Sequence, residues 1–473
     1  MSISPLCRIH LLLLGAFLVL TGAPSQAQSE PKSDSPSRHA QRKNPIRSLT
    51  ISGEILIPTI YRTDFFDDQF RGSLSSNNDD LYIDPVLKLH LDLDLEKNIR
   101  GRITLQNDRR AVNNLANTLQ EKTASQRGGE DNLELEIEEL YVQMDRFPSD
   151  DSWLRIGIQD FRYVLRYDSP DAFFIDISHA ESPYFGSVNL EAAGLRGRTT
   201  TEWMDQVLAL DVFGFTLIET GLNSSDESIF GINLDLSLSG PPKRDHLINF
   251  LLVGMANDDQ IIGTLGLGAS IFLTPNLEIY GEGLGQLGTF FESGQSPLNP
   301  LDTQRHQAYG GRLGFRYSWN QFIAKPFVEC SVWVLSGDDN EPGRSVNRDL
   351  VTYENVDETW VVEGDEYGLD LDSNYWATKF RVGFDLTEQL DEDVRVELGV
   401  AHFEALDAPA GRSRHIGTEI DLGLTWDYSN SLQFRLGAGF LFGSQFFKNA
   451  SQNLGIGGKD HAMILFIETR LRF

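Results

Sequence analysis

From residue 48 onward the chain alternates apolar and polar residues with period two. The clearest stretch is Leu87–Glu96: each odd position is Leu, and the even ones are Lys88, His90, Asp92, Asp94 and Glu96. In a strand this puts five leucines on one face and the ionisable groups on the other, whereas a helix would scatter charge all round. The same alternation recurs in Phe230–Leu238, Phe380–Leu386, Ile420–Trp426 and Leu432–Phe440. It predicts eighteen strands, near 48–61, 82–96, 99–109, 133–145, 152–161, 188–200, 206–218, 228–239, 245–256, 262–273, 276–288, 305–319, 323–336, 375–387, 393–406, 415–428, 431–444 and 460–473. Strands of about ten residues suit a tilted crossing of a bilayer.

The connections carry independent information, because they alternate short and long. Lys97-Asn98, Pro275, Asn320-Gln321 and Ser429-Asn430 are tight turns, while 62–81, 110–132, 162–187, 290–304 and 337–374 are long; only the long-side members near Asn257 and Asp407 are brief. A soluble sandwich has no reason to segregate loop lengths by parity. An outer-membrane barrel does, with short periplasmic turns and longer external loops. The fold expected is therefore all-β, a transmembrane antiparallel β-barrel of about eighteen strands over residues 48–473. The C-terminal Phe473, on one face with Leu465, Ile467 and Leu471, fits the terminal aromatic such barrels offer to the assembly machinery.

The N-terminus changes where this fold is expected to reside. Arg8, the apolar run Leu11–Leu20 and the small-x-small stretch Ser25-Gln26-Ala27 read as an export signal, residues 1–27, too short to span a bilayer as a helix. Residues 28–47 are polar with three prolines and read as a disordered periplasmic leader, with a periplasmic export partner as one use for its basic residues. Forty Lys+Arg stand against 69 Asp+Glu, a net charge of −29, which excludes a simple nucleic-acid binder. Cys7 lies in the signal, so Cys330 is left alone; no zinc or iron–sulfur framework can be built, and no cofactor is implied.

In a barrel of this size the polar strand faces line an aqueous interior. By parity Arg102, Arg155, Arg196, Arg198, Arg312, Arg316, Lys379, Arg381, Arg435, Arg470 and Arg472 point inward, as do Lys88, Arg100 and Arg395. So do Asp92, Asp94, Glu96, Asp235, Asp385, Glu397, Glu419, Asp421, Asp427 and Glu468. Two readings stay open. If the pairs Arg196/Arg198, Arg312/Arg316, Lys379/Arg381 and Arg470/Arg472 meet at one height, they form a basic ring that passes carboxylated solutes. If they sit beside acids of neighbouring strands, the lumen is electrically mixed. The segment 337–374 carries twelve acids and two arginines and reads as a solvated external loop, or alternatively a calcium site. The segment 162–187 is rich in aromatics, which need something to bury against, so it is expected to enter or cover the lumen as a gating loop, with Arg162, Arg166, Phe173 and Phe174 among its residues. His179 and Glu181 could form a proton-transfer pair, but no nucleophile motif accompanies them.

Several short motifs, in order, resemble the alginate-export family of outer-membrane channels. They are Glu138-Glu-Leu-Tyr-Val142, Leu154-Arg-Ile-Gly-Ile-Gln-Asp-Phe161, Gly194-Leu-Arg-Gly-Arg198, Phe230-Gly-Ile-Asn-Leu234, Leu335-Ser-Gly-Asp338, Gly417-Thr-Glu-Ile-Asp421 and Phe440-Leu-Phe-Gly443. Ile158 stands where the family usually has Arg. The resemblance implies an eighteen-stranded barrel whose lumen admits an anionic polysaccharide or oligosaccharide, alginate-like, in contact with outer-membrane lipids and lipopolysaccharide. The alternatives are a general or cation-preferring porin, an outer-membrane enzyme, and a structural barrel with a plugged lumen.

Overall fold

The computed structural model describes residues 46–63, 79–83, 85–107, 135–162, 176–177, 190–203, 206–219, 227–240, 245–257, 260–291, 303–338, 346–352, 358–364, 368–369, 371, 373–386, 393–408, 413–443, 445–448 and 461–473. Eighteen long strands form one closed antiparallel barrel: β1 Ile46–Thr63, β2 Val86–Leu95, β3 Ile99–Asn107, β4 Leu135–Asp145, β5 Ser152–Ile158, β6 Leu190–Trp203, β7 Gln206–Glu219, β8 Glu227–Ser239, β9 Asp245–Ala256, β10 Gln260–Thr274, β11 Leu277–Phe291, β12 Thr303–Ser318, β13 Phe327–Leu335, β14 Tyr375–Asp385, β15 Asp393–Ala405, β16 His415–Asp427, β17 Leu432–Phe442 and β18 His461–Arg472. Each pairs with its sequence neighbours, and β1 pairs with β18 to close the wall. Closure leaves no unpaired edge for the bilayer to meet. Phe473 completes the seam: its N–H donates to Gly53 O at 3.0 Å and its carbonyl accepts from Gly53 N at 2.9 Å.

Burial alternates as the sequence pattern requires. On β10 the even positions Ile262, Thr264, Gly266, Gly268 and Ser270 are buried, while Ile261, Gly263, Leu265 and Leu267 are exposed. The exposed set is the outer face: Leu267, Leu287 and Leu313 are 63%, 69% and 64% exposed, an apolar surface that only a lipid environment would cover. Aromatics gather towards the short-turn end, where Tyr317 meets Trp319 at 4.7 Å and Trp426 meets Tyr428 at 5.5 Å. The turn between β2 and β3 has Lys97 at φ 63° and Asn98 at φ 61°, the two left-handed residues that a tight hairpin matched to strand twist demands.

Among the boundaries that differ from the sequence reading, three matter here. β1 begins at Ile46, so the last two residues of the supposed leader already lie in the strand, Ile46 paired with Leu95. β13 starts at Phe327 rather than at 323, because 319–326 fold as successive turns closed by the Trp319 N–H to Pro326 O bond at 2.9 Å. The third is β5, which stops at Ile158; Phe161 then leaves the wall.

Candidate functional site: the lumen and an inward-folded loop

The inward positions follow from the register, and they divide the lumen by height. Towards the short turns they are polar and exposed to the interior. Towards the long loops they are buried and largely apolar: Phe213, Phe215, Ile229, Val253, Met255, Ile262, Trp333, Tyr375, Phe403 and Leu441 are all at most 1% exposed. Something inside the barrel covers them.

Part of that cover is the acidic loop between β13 and β14. It starts at the rim, where Val346–Asn347 pairs in parallel with Arg305–His306 along the stretch of β12 that β13 no longer covers. The Gln286 amide then clamps the loop backbone in strand-like fashion, donating to Val351 O at 2.7 Å and accepting from Val351 N at 3.0 Å. His306, against Asn347 at 3.3 Å and Gln286 at 3.2 Å, braces that clamp. Further along, the Glu419 carboxylate on β16 accepts the backbone N–H groups of Trp360, Val361 and Val362 at 2.8, 2.6 and 2.9 Å. A buried carboxylate satisfied by three donors is a strong anchor. Glu363 closes the turn: it accepts from the Thr359 N–H at 3.1 Å, the Tyr375 hydroxyl at 2.7 Å and the Lys379 ammonium at 2.5 Å.

Glycines make room for this docking. A Cβ on Gly437 would lie 2.6 Å from the Trp360 ring and one on Gly439 would lie 3.1 Å from Val361. Trp360 thus lies on the bare inner face of β17, edge-on to Phe466 at 4.7 Å. Described residues 358–364, 368, 369 and 371 of the acidic segment are therefore not a solvated run. They pack in the lumen, because Trp360, Val361 and Val362 bury there and Glu358 and Glu363 meet wall bases.

The predicted basic residues divide accordingly. Arg312 bonds Glu282 at 2.6 Å and approaches Glu358 at 3.6 Å; Lys379 approaches Glu358 at 3.5 Å as well as Glu363. Both cations flank the buried Trp333 ring, at 5.1 and 3.8 Å from its centroid. Arg316 lies across from Glu278 and Glu329 and over Phe327, and Arg381 bonds Glu329 at 2.8 Å. Arg435 stands opposite Glu468; Arg470 contacts Glu468 at 3.4 Å and Glu54 at 3.8 Å; Arg472 contacts Glu54 at 3.3 Å. Arg102 bonds Asp92 at 2.7 Å. Arg196 and Arg198 share the fully buried Asp211 at 3.1 and 2.6 Å. The register thus places acids beside these bases, and the four pairs do not make a basic ring; the wall is electrically mixed.

Arg155 differs. It stacks on Tyr141 at 4.0 Å and accepts no carboxylate among the described residues, its guanidinium donating instead to the Gln143 carbonyl at 3.0 and 2.9 Å. It faces Arg196 across the β5–β6 pair. Phe161, one turn beyond β5, is fully buried against Phe213 and Phe215 at 4.4 and 4.7 Å, with Arg196 over it at 5.2 Å. Arg166, Phe173, Phe174, His179 and Glu181 lie outside the described residues, as do the Arg162 side chain, the signal segment and the rest of the leader. The short pairing of Phe161–Arg162 with Asp176–Ile177 is the described part of the aromatic segment.

A closed eighteen-strand barrel with an apolar outer belt and a polar, ion-paired interior is a transmembrane β-barrel of the bacterial outer-membrane type. Solved structures agree on that fold. A BenF-like porin from Pseudomonas fluorescens Pf-5 matches with TM-score 0.52 at 9% identity, over 91% of this chain and 100% of that one. Pseudomonas aeruginosa OccK5 (OpdH) matches with TM-score 0.50 at 11% identity, over 91% and 100%. OpdO of the same organism gives 0.50 at 10%, over 90% and 98%. At these identities the likeness is one of fold. No protein-family model matches the sequence and no curated protein matches it, so the resemblance to the alginate-export family rests on its short motifs alone.

Proposed function

We propose that this chain is a porin-type channel of the outer membrane that passes small hydrophilic solutes through a lumen narrowed by the docked, described residues 346–352, 358–364, 368, 369 and 371 of the β13–β14 loop. The observation that carries the reading is the Glu419 anchor, which ties that loop to the inner wall of the barrel. A passage lined by interleaved acids and bases admits polar solutes with weak overall charge preference. The porin reading is better supported than export of an alginate-like polyuronate, because a long polymer needs an open bore and the basic wall residues are mostly neutralised by neighbours.

Among the described residues, one place favours a preference for carboxylated solutes. Arg155, held by Tyr141 and Gln143 beside Arg196, presents a guanidinium fork that no carboxylate among the described residues occupies. The reading is that of a channel rather than an enzyme. It brings with it an export signal at 1–27, the assembly machinery acting on Phe473, contact with lipopolysaccharide, and a polar leader available to periplasmic partners. Purified protein in planar bilayers tests it: discrete open-channel currents with a small reversal potential under a salt gradient are expected. A barrel that carries no current at any voltage contradicts it.

A further inference from the structure

The outer wall carries a constellation that the channel does not use. His402 and Glu404 on β15 point away from the lumen near its long-loop end, two residues apart and hence on one face. His415 opens β16. Between Phe403 and Glu404 the β15–β16 ladder shifts register: Phe403 pairs with Gly417, but Glu404 pairs with His415. The extra residue, Ile416, is fully buried, and Gly417 takes φ 146°, a backbone angle that favours glycine. Without this bulge His415 would fall on the other face. With it, one donor atom from each of His402, Glu404 and His415 lies within 4.8 Å of the others.

We propose that these three residues bind a divalent transition metal of the zinc class. Two imidazoles and one carboxylate are a donor set that such ions take, and three protein donors leave a fourth position for water or an outside oxygen ligand. The site is also prepared at its second layer. His402 Nδ1 lies 3.1 Å from Thr418 Oγ1, directly across the ladder. With Nδ1–H donating to that hydroxyl, the Nε2 lone pair is turned to the Glu404 side, where Nε2 stands 3.7 Å from Oε1. The side chains of His402 and Glu404 are 39% and 38% exposed, so an ion can enter from outside without unfolding the wall. A bound ion would clip the ends of β15 and β16 together beneath their brief connecting loop.

The test uses the full folded chain in detergent, stripped with a chelator and titrated with cobalt(II), whose visible absorption reports tetrahedral nitrogen and oxygen ligation. One equivalent is expected to give that spectrum and to be displaced by zinc. H402A/H415A should lose it, and E404Q should weaken it. Thr418→Val, which touches no ion, should weaken binding by roughly 10–100-fold. His246→Ala, a histidine elsewhere on the wall, should bind as wild type does. Loss of boiling-resistant migration on a gel would mark a misfolded variant, in which case E404Q and Thr418→Val decide. No stoichiometric cobalt spectrum in the wild type, or equal binding by folded H402A/H415A, overturns the proposal.

Discussion

The two halves of the lumen share one wall and hold opposite contents. Towards the short turns, inward positions are occupied by Arg100, Arg102, Asp92, Asp94, Arg395, Glu397, Arg435 and Asp427, which water reaches; Asp92 faces Arg102, Asp94 faces Arg100 and Arg395 faces Asp385 across the ladders. Towards the long loops, the same parity delivers Phe213, Phe215, Met255, Ile262, Trp333, Tyr375 and Phe403, sealed from water. A strand crossing the membrane therefore does not have one lumen face; it has two. What separates them is a belt of anchored charges at mid-height: Asp211 with two arginines, Arg312 with Glu282, Lys379 with Glu363, and Glu419 with three backbone donors. The lesson is that the apolar half packs like a domain core, so it can hold a loop in place, and the charged half behaves as a vestibule.

The largest expected effect is on the packed half. Excising residues 353–371 and joining the ends with a short Gly-Ser link should raise single-channel conductance several-fold, because described residues 358–364, which pack on the inner wall, go with it. Next comes Gly437→Leu. Its side chain would press on both the Phe466 and the Trp360 rings, so the loop should lose about 3 kcal/mol of docking, in the range of a lost buried aromatic contact. Faster proteolysis within 353–367 by protease added at the long-loop end would register this, while the barrel itself stays heat-resistant.

Changes in the charged half should be gentler. Arg155→Ala removes the guanidinium that no described carboxylate occupies, and the reversal potential should shift towards cation preference with conductance nearly unchanged. Arg381→Ala, which leaves Glu329 behind, should shift it no less, since there too a positive charge is lost from a balanced pair. An unchanged reversal potential in both would show that the vestibule does not select charge.

The smallest effect concerns the rim. Burial pushes the Asp349 carboxyl above its usual range, opposed by the hydrogen bond it accepts from the Asp338 N–H at 2.7 Å. A raised folded-state pKa means that ionisation disfavours the docked loop. Docking is therefore firmest below the ordinary aspartate range and weakens as pH rises through the raised value. Openings should become rarer on acidification at the long-loop side, and Asp349→Asn should remove that dependence.

Much of this fold was legible because period two is a rule with few exceptions. Leu87–Glu96 needed only parity to set its two faces, and the short and long connections set the topology. Parity also proposed a set of inward bases. It could not name their partners, which depend on register: Arg316 meets Glu278 and Glu329 only because of where β11 and β13 start. The loop was misread for a different reason. Its twelve acids hid the run Thr359-Trp-Val-Val362, whose apolar residues called for burial as surely as those of 162–187, and the inward glycines at 423, 437 and 439 were the complementary signal. The His402, Glu404 and His415 cluster was beyond reach, because strict alternation without the bulge at Ile416 puts His415 on the wrong face.

Two matched substitutions test the division of the lumen most directly. Glu419→Ala and Glu397→Ala each remove one inward carboxylate, the first from the anchor of the loop and the second from the vestibule. Single-channel conductance should rise clearly in Glu419→Ala, while Glu397→Ala should keep the wild-type conductance and shift only the reversal potential. Equal conductance in the two variants, with both close to wild type, would contradict the claim that the docked loop sets the bore.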